Sequence, residues 1–164
     1  MPIGWHIFRI ICLLQMLAGC FFTFSCFIGF FNYPNVIDFL QAIAFGFITS
    51  FAVFALNLLN RNYPDKPVAG KQKTAFNWLF LINFLLLAFL FGWFFSAYQV
   101  LQTVATLTGK GIFAVPFRVW LPALVFTAML LFQFILLYGL YILRRLLYLN
   151  FFDQQQFEFE NSKE

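Results

Sequence analysis

The side chains able to carry chemistry in this 164-residue chain are few, and four of them lie close together near its start. The single histidine is His6, and Cys12, Cys20 and Cys26 follow it on one apolar segment. On a helix these thiols lie roughly 9–12 Å apart along the axis, too far for a disulfide. No acidic residue or second histidine stands beside them to complete a zinc or haem site, so we interpret them as small buried apolar side chains.

The six acidic residues do not form a catalytic or proton-relay pattern. Only Asp38 falls inside an apolar segment, about one helical turn from its edge. No nucleophile has a neighbouring base, and the chain has no glycine-rich phosphate loop or nucleic-acid motif. We therefore predict a protein that is not an enzyme, uses no cofactor or metal and binds no nucleic acid.

The composition points to a membrane. Apolar residues make up 63% of the chain and charged residues 10%, with 28 phenylalanines and a net charge of +4. A soluble domain has about 25% charged residues. These proportions exclude a soluble domain, a disulfide scaffold, a disordered tail and a basic nucleic-acid module. They indicate an integral membrane protein.

Four apolar segments are long enough to cross about 30 Å of hydrocarbon as helices. They cover residues 7–31, 36–59, 75–98 and 117–143. The sequence thus predicts an all-α fold, a four-helix transmembrane bundle over residues 1–143. An interfacial helix and a mobile tail are expected over 144–164. Asn-Tyr-Pro tripeptides after the first two spans predict turns, and we expect Asp38 and Thr74 to cap the next two helices.

Basic residues mark one side of the predicted bundle. Eight of the ten fall there, namely Arg9, Arg61, Lys66, Lys71, Lys73, Arg144, Arg145 and Lys163. The other side has Lys110 and Arg118. This asymmetry predicts that both termini are cytoplasmic. We expect Arg9, Lys71, Lys73, Arg144 and Arg145 to meet lipid headgroups, and Trp5, Trp78, Trp93 and Trp120 to lie near span ends.

Small and polar residues recur at three- or four-residue steps along three spans. The stripe on the first span is Cys12, Gln15, Gly19, Thr23 and Cys26. The second is Asp38, Ala42, Gly46, Ser50, Val53 and Asn57, flanked by Gln41 and Thr49, and the third is Asn77, Leu81, Phe84, Ala88, Gly92, Ser96 and Gln99. Small residues let helices approach closely. We predict that these stripes face inward or toward another subunit, with the large phenylalanines left to lipid. A hydrated path along the second stripe is the alternative.

Two further segments carry predictions. Residues 17–20, Leu-Ala-Gly-Cys, resemble a bacterial lipoprotein cleavage box with Cys20 as the lipidated residue. A signal's apolar region ends after about 7–15 residues, whereas this one continues to Phe31, which favours an unprocessed helix. Between Gln99 and Pro116, helical spacing predicts that the third helix extends as an amphipathic stalk to Gly109, in contact with headgroups or a partner.

These features favour a small non-enzymatic subunit that supports a larger membrane complex. The alternative is an oligomeric channel or a transporter of ions or small solutes, with the second helix lining the path. A membrane enzyme or lipid-handling protein ranks last, since no reactive constellation is visible. We expect the partners to be the bilayer and another membrane protein or further copies of this chain. The expected location is a cell membrane, and compact loops favour a bacterial inner membrane.

Overall fold

The computed structural model describes residues 3–63, 70–109 and 111–161, with side chains described as far as Leu147 except that of Phe113. It contains four long helices, α1 (Ile3–Asn32), α2 (Val36–Arg61), α3 (Gly70–Thr108) and α4 (Phe117–Asn161), and a short 3₁₀ turn at Ile112–Ala114. The expected all-α fold is confirmed. Each α-helix contains a stretch long and apolar enough to cross a membrane, as expected of a multi-pass membrane protein.

Successive helices run antiparallel, so one end of the bundle gathers the start of α1, the end of α2, the start of α3 and the residues around 144 of α4. Two ring contacts show this. The rings of Trp5 and Tyr63 lie 5.5 Å apart, and the Arg144 guanidinium lies 4.8 Å above the Phe76 ring. We call this the basic end, because it carries Arg9, Arg61, Lys71, Lys73, Arg144 and Arg145.

The cap of α2 is not the residue that the sequence indicates. Asn35 is the N-cap, and its Oδ1 accepts a hydrogen bond from the Ile37 N–H at 3.0 Å. Asp38 lies within the first turn instead, where its charge is favourable beside the positive end of the helix dipole. Thr74 is not a cap either, because α3 begins at Gly70.

Replacing Asn35 by alanine should lower the free energy of unfolding by about 1 kcal/mol, because a helix-terminal N–H loses its acceptor. Asp38→Asn should cost only about 0.3–1 kcal/mol, because it removes a charge and leaves the cap in place. Thermal unfolding of both variants in detergent measures the difference. A greater loss of stability in Asp38→Asn would contradict the assignment of the cap.

Helices α3 and α4 are longer than the spans that predict them. With 39 and 45 residues, they are about 58 and 68 Å long. Helix α3 ends where the sequence predicts, at Gly109, whose φ of +64° is the left-handed conformation common just after a helix. Helix α4 continues to Asn161 and so includes part of the predicted mobile tail. Residues 162–164 lie outside the described residues.

The extension of α3 beyond residue 98 packs against its own chain. Leu101 and Ala105 are buried with Val115 in a small apolar cluster that also touches the start of α4. The predicted contact of this segment with headgroups or a partner cannot involve its inner face, which its own chain already covers. The exposed side chains of Val100 and Leu107 leave only the outer face for either role.

Phenylalanines fill the centre of the bundle, contrary to the expectation that they face lipid. Phe45 is fully buried, and a row of rings crosses all four helices. Ring centroids are 5.1 Å apart at each step from Phe45 to Phe22, from Phe22 to Phe126 and from Phe126 to Trp93. Aromatic pairs add about 0.5–1.5 kcal/mol each beyond burial. Other rings, such as that of Phe24, do lie on the surface. Trp93 belongs to this row of rings inside the bundle.

Candidate functional site

Three fully buried amide side chains meet inside the bundle and link its helices. Gln15 Nε2 donates to Gln133 Oε1 at 3.1 Å, and Gln133 Nε2 donates to Asn83 Oδ1 at 2.9 Å. Asn83 Nδ2 in turn donates to two backbone oxygens, those of Leu79 at 2.9 Å and of Phe47 at 3.4 Å. The chain of donors therefore touches all four helices. We call Gln15, Asn83 and Gln133 the amide network.

The amide network has a direction and an open end. The donors run in one direction, from Gln15 through Gln133 and Asn83 to the backbone oxygens of Leu79 and Phe47. Gln15 Oε1 is therefore the acceptor at the start of the network, and it is buried without a hydrogen-bond partner. Amides neither titrate near neutral pH nor act as nucleophiles. Hydrogen bonds between membrane helices are worth about 0.6–2 kcal/mol each, so the network is suited to fixing the register of the helices.

Gln15 was predictable from the stripe on the first span, whereas its two partners were not predicted. A usable signal was present, because Gln133 is the only amide side chain between residues 117 and 143, and Asn83 lies well inside the third span. Polar side chains deep in a span are costly and need partners. The regular stripe drew attention to Asn77 instead, which the structure leaves exposed.

The stripe on α1 lies on the buried face of its helix. Cys12, Gln15 and Gly19 are buried. A Cβ at Gly19 would collide with the hydroxyl of Thr49, which donates to the Phe45 carbonyl at 2.9 Å. Gly19 is thus the position that lets α1 approach α2 closely.

The stripe on α2 does not follow one face. Ala42 is buried, Asp38, Gln41, Gly46 and Thr49 are half-buried, and Ser50, Val53 and Asn57 are exposed. Each four-residue step advances about 40° beyond a full helical turn. From Asp38 to Ser50 the candidates therefore spread over about 120° of the helix surface, which reaches from the buried side at Ala42 to the exposed side at Ser50. Ser50 bonds to its own helix, donating to the Gly46 carbonyl at 2.8 Å.

The stripe on α3 lies entirely on the surface of the bundle. Its candidates Ala88, Gly92 and Ser96 are exposed, and nothing lies within 4 Å of the position that a Cβ would take at Gly92. The buried face of α3 carries other residues, including Leu87 and Leu90. Among the described residues the stripe is not packed against another helix at Gly92, which leaves this exposed surface for lipid or for another subunit.

Candidates from two stripes meet in a groove between α2 and α3. Gln41 lines it from α2, and Gly92 and Ser96 line it from α3, with Phe89 and Trp93 completing the lining. The groove has a volume of about 390 Å³ and is open to the outside. We call it the α2–α3 groove. It offers an amide and a hydroxyl beside two large aromatic rings.

The basic end brings together the residues expected to meet headgroups. Arg9 Nη2 donates to Asn60 Oδ1 at 2.7 Å, so part of its guanidinium is held by α2. Lys71, Lys73 and Arg145 are exposed. Among the described side chains, the only carboxylate is that of Asp38 at the opposite end.

Residues able to ligate a metal do not gather in the described part of the chain, which contains no group of three His, Cys, Asp or Glu suited to that role. All three cysteines are free thiols. The amide network, the α2–α3 groove and the basic end are the features on which a functional proposal can rest. Comparisons with models of protein families, with curated proteins and with solved structures find no match for this chain.

Proposed function

We propose that this chain is a small non-enzymatic membrane subunit that docks onto a larger membrane protein through α3. The supporting observation is the position of Ala88, Gly92 and Ser96, which lie four residues apart and are all exposed on α3. Small residues at this spacing let a neighbouring helix approach closely enough for extensive van der Waals contact. In the described part of the chain, nothing lies within 4 Å of the position that a Cβ on Gly92 would take.

The α2–α3 groove strengthens the proposal. The Gln41 Oε1 already accepts from the Cys26 thiol at 4.0 Å. Hydrocarbon offers no hydrogen-bond partner to the Ser96 hydroxyl or to the Gln41 amide nitrogen, whereas a partner helix with a polar side chain does. The rings of Phe89 and Trp93 beside them supply a large apolar contact area. Contact with another protein therefore satisfies this surface better than lipid does.

The interior of the bundle favours a structural role over a catalytic one. Its polar centre consists of amide groups bonded to one another, and aromatic rings fill the layer around Phe45. This packing also favours docking over transport through a single bundle. A channel, the second candidate, would require several copies, with the exposed Ser50 and Asn57 of α2 facing a shared path.

The proposal includes an orientation and a location. We place the basic end in the cytoplasm, since basic residues are retained on that side, and we prefer a bacterial inner membrane. A reporter fused to the C-terminus, active only in the cytoplasm, tests the orientation. Activity of a reporter that works only outside the cytoplasm would overturn it.

Gly92→Leu should abolish co-purification of the partner in mild detergent while leaving the thermal unfolding of the bundle unchanged. The leucine has room in the isolated chain but blocks close approach of another helix. The measurement is affinity purification of the full chain from its native membrane, with quantitative mass spectrometry of the proteins retained.

Gly46→Leu is the matched control, because Gly46 also has open space at its Cβ but lies on α2. It should retain the partner. Equal recovery with the Gly92 variant would exclude docking through this stripe. A homo-oligomer that conducts ions in liposomes would favour the channel instead.

A further inference from the structure

A second groove lies between α1 and α4 at the basic end. It has a volume of about 310 Å³ and is lined by residues of α1 between Gly4 and Ile11 and by residues of α4 between Ile135 and Ile142. Each of these stretches spans eight residues, so the groove extends about 10 Å along the bundle. Its lining is overwhelmingly apolar. We call it the α1–α4 groove.

Two glycines and one ring shape the α1–α4 groove. Phe8 is buried, and its ring occupies the space that a Cβ on Gly139 would need. The absence of a side chain at Gly139 therefore lets α4 pack closely against this ring of α1. One turn nearer the basic end, nothing lies within 4 Å of where a Cβ on Gly4 would be. The groove is therefore open at the end that faces the basic residues.

The Arg145 side chain lies near this opening of the groove. Arg145 lies on α4 one turn beyond Ile142 and two turns beyond Tyr138, so these side chains share one side of the helix. Because Phe8 lies beside Gly139 and the helices are antiparallel, Arg145 is only about 3 Å farther along the bundle axis than Gly4. The Arg145 side chain is exposed and long enough to reach the headgroup layer.

We propose that the α1–α4 groove binds an anionic phospholipid, with one acyl chain along the groove and the lipid phosphate paired with Arg145. The apolar lining suits an acyl chain, and a guanidinium pairs well with phosphate oxygens. Charge complementarity selects the anionic lipid, because the exposed guanidinium of Arg145 lies at the opening of the groove and the exposed Lys71 lies at the same end of the bundle. This site is separate from the docking surface on α3.

The preference for an anionic headgroup is tested by native mass spectrometry of the full chain, released from detergent in the presence of phosphatidylglycerol or phosphatidylcholine. Wild type should bind one phosphatidylglycerol about fivefold more tightly than phosphatidylcholine, the effect of one basic residue near an anionic headgroup. Arg145→Gln should remove this preference. Arg118→Gln, which removes an exposed arginine at the opposite end, should keep it.

Filling the groove tests the position of the acyl chain. Gly4→Phe places a ring in the open end of the groove and should abolish tight binding of phosphatidylglycerol. Gly46→Phe places a ring on α2, where the Cβ position is equally open, and should retain this binding. Thermal unfolding verifies that each variant is folded. The proposal would be overturned if wild type bound the two lipids equally, if Arg118→Gln lost the preference, or if Gly4→Phe bound phosphatidylglycerol as tightly as wild type.

Discussion

Gln133→Leu should lower the free energy of unfolding of the bundle by about 2 kcal/mol, because it removes the middle link of the amide network. Gln133 both accepts from Gln15 and donates to Asn83. Without it, the Gln15 amide has no hydrogen-bond partner and Asn83 Oδ1 loses its donor, although both side chains are fully buried. Equilibrium unfolding in mixed detergent micelles measures the loss.

The double variant Gln15→Leu/Gln133→Leu should be more stable than Gln133→Leu alone. The second leucine removes a buried amide that the first substitution left unpaired, and replacing both partners by apolar groups is far less costly than orphaning one. Gln15→Leu alone should cost less than Gln133→Leu, because Gln15 stands at the end of the network. A double variant less stable than Gln133→Leu would show that the amides do not act as a connected unit.

Gly19→Leu should destabilise the bundle by about 2–3 kcal/mol, because the new side chain must separate α1 from α2. A Cβ at position 19 already meets the Thr49 hydroxyl, and the Phe45 carbonyl oxygen lies 3.5 Å away. Gly46→Leu, with nothing within 4 Å of the Cβ, should be neutral or slightly stabilising, since leucine favours the helix more than glycine does. Thermal unfolding of the two variants in the same detergent gives the comparison.

A double variant tests whether contact with Thr49 causes the loss of stability at position 19. In Gly19→Ala/Thr49→Ala the colliding hydroxyl is gone, and the remaining Cβ atoms lie about 3.4 Å apart, so most of the stability should return relative to Gly19→Ala alone. Failure of this rescue, or an equal cost for Gly46→Leu, would place the intolerance at Gly19 elsewhere than in contact with Thr49.

Local features of the chain were predictable because local properties determine them. Backbone groups in hydrocarbon must bond within their own segment, so the apolar stretches alone determined four helices. The end of α3 followed from Gly109, whose left-handed φ a glycine adopts without strain. The capping of α2 was mispredicted because Asn35 and Asp38 both suit a helix start, and only the position of the first turn distinguishes them.

The sequence by itself determined the helical class, the number of candidate spans and the asymmetric distribution of basic charge. Tertiary structure alone decided which side of each helix faces inward. Gly19 packs against Thr49, whereas the similar stripe through Gly92 faces outward, and Phe45 is buried while Phe24 is exposed. Lipid tails are as apolar as a bundle core, so hydrophobicity provides no signal that separates the interior of a membrane bundle from its surface. Which side of each helix faces the interior depends on shape complementarity between helices and on the hydrogen bonds among three amides. Both involve residues far apart in the chain.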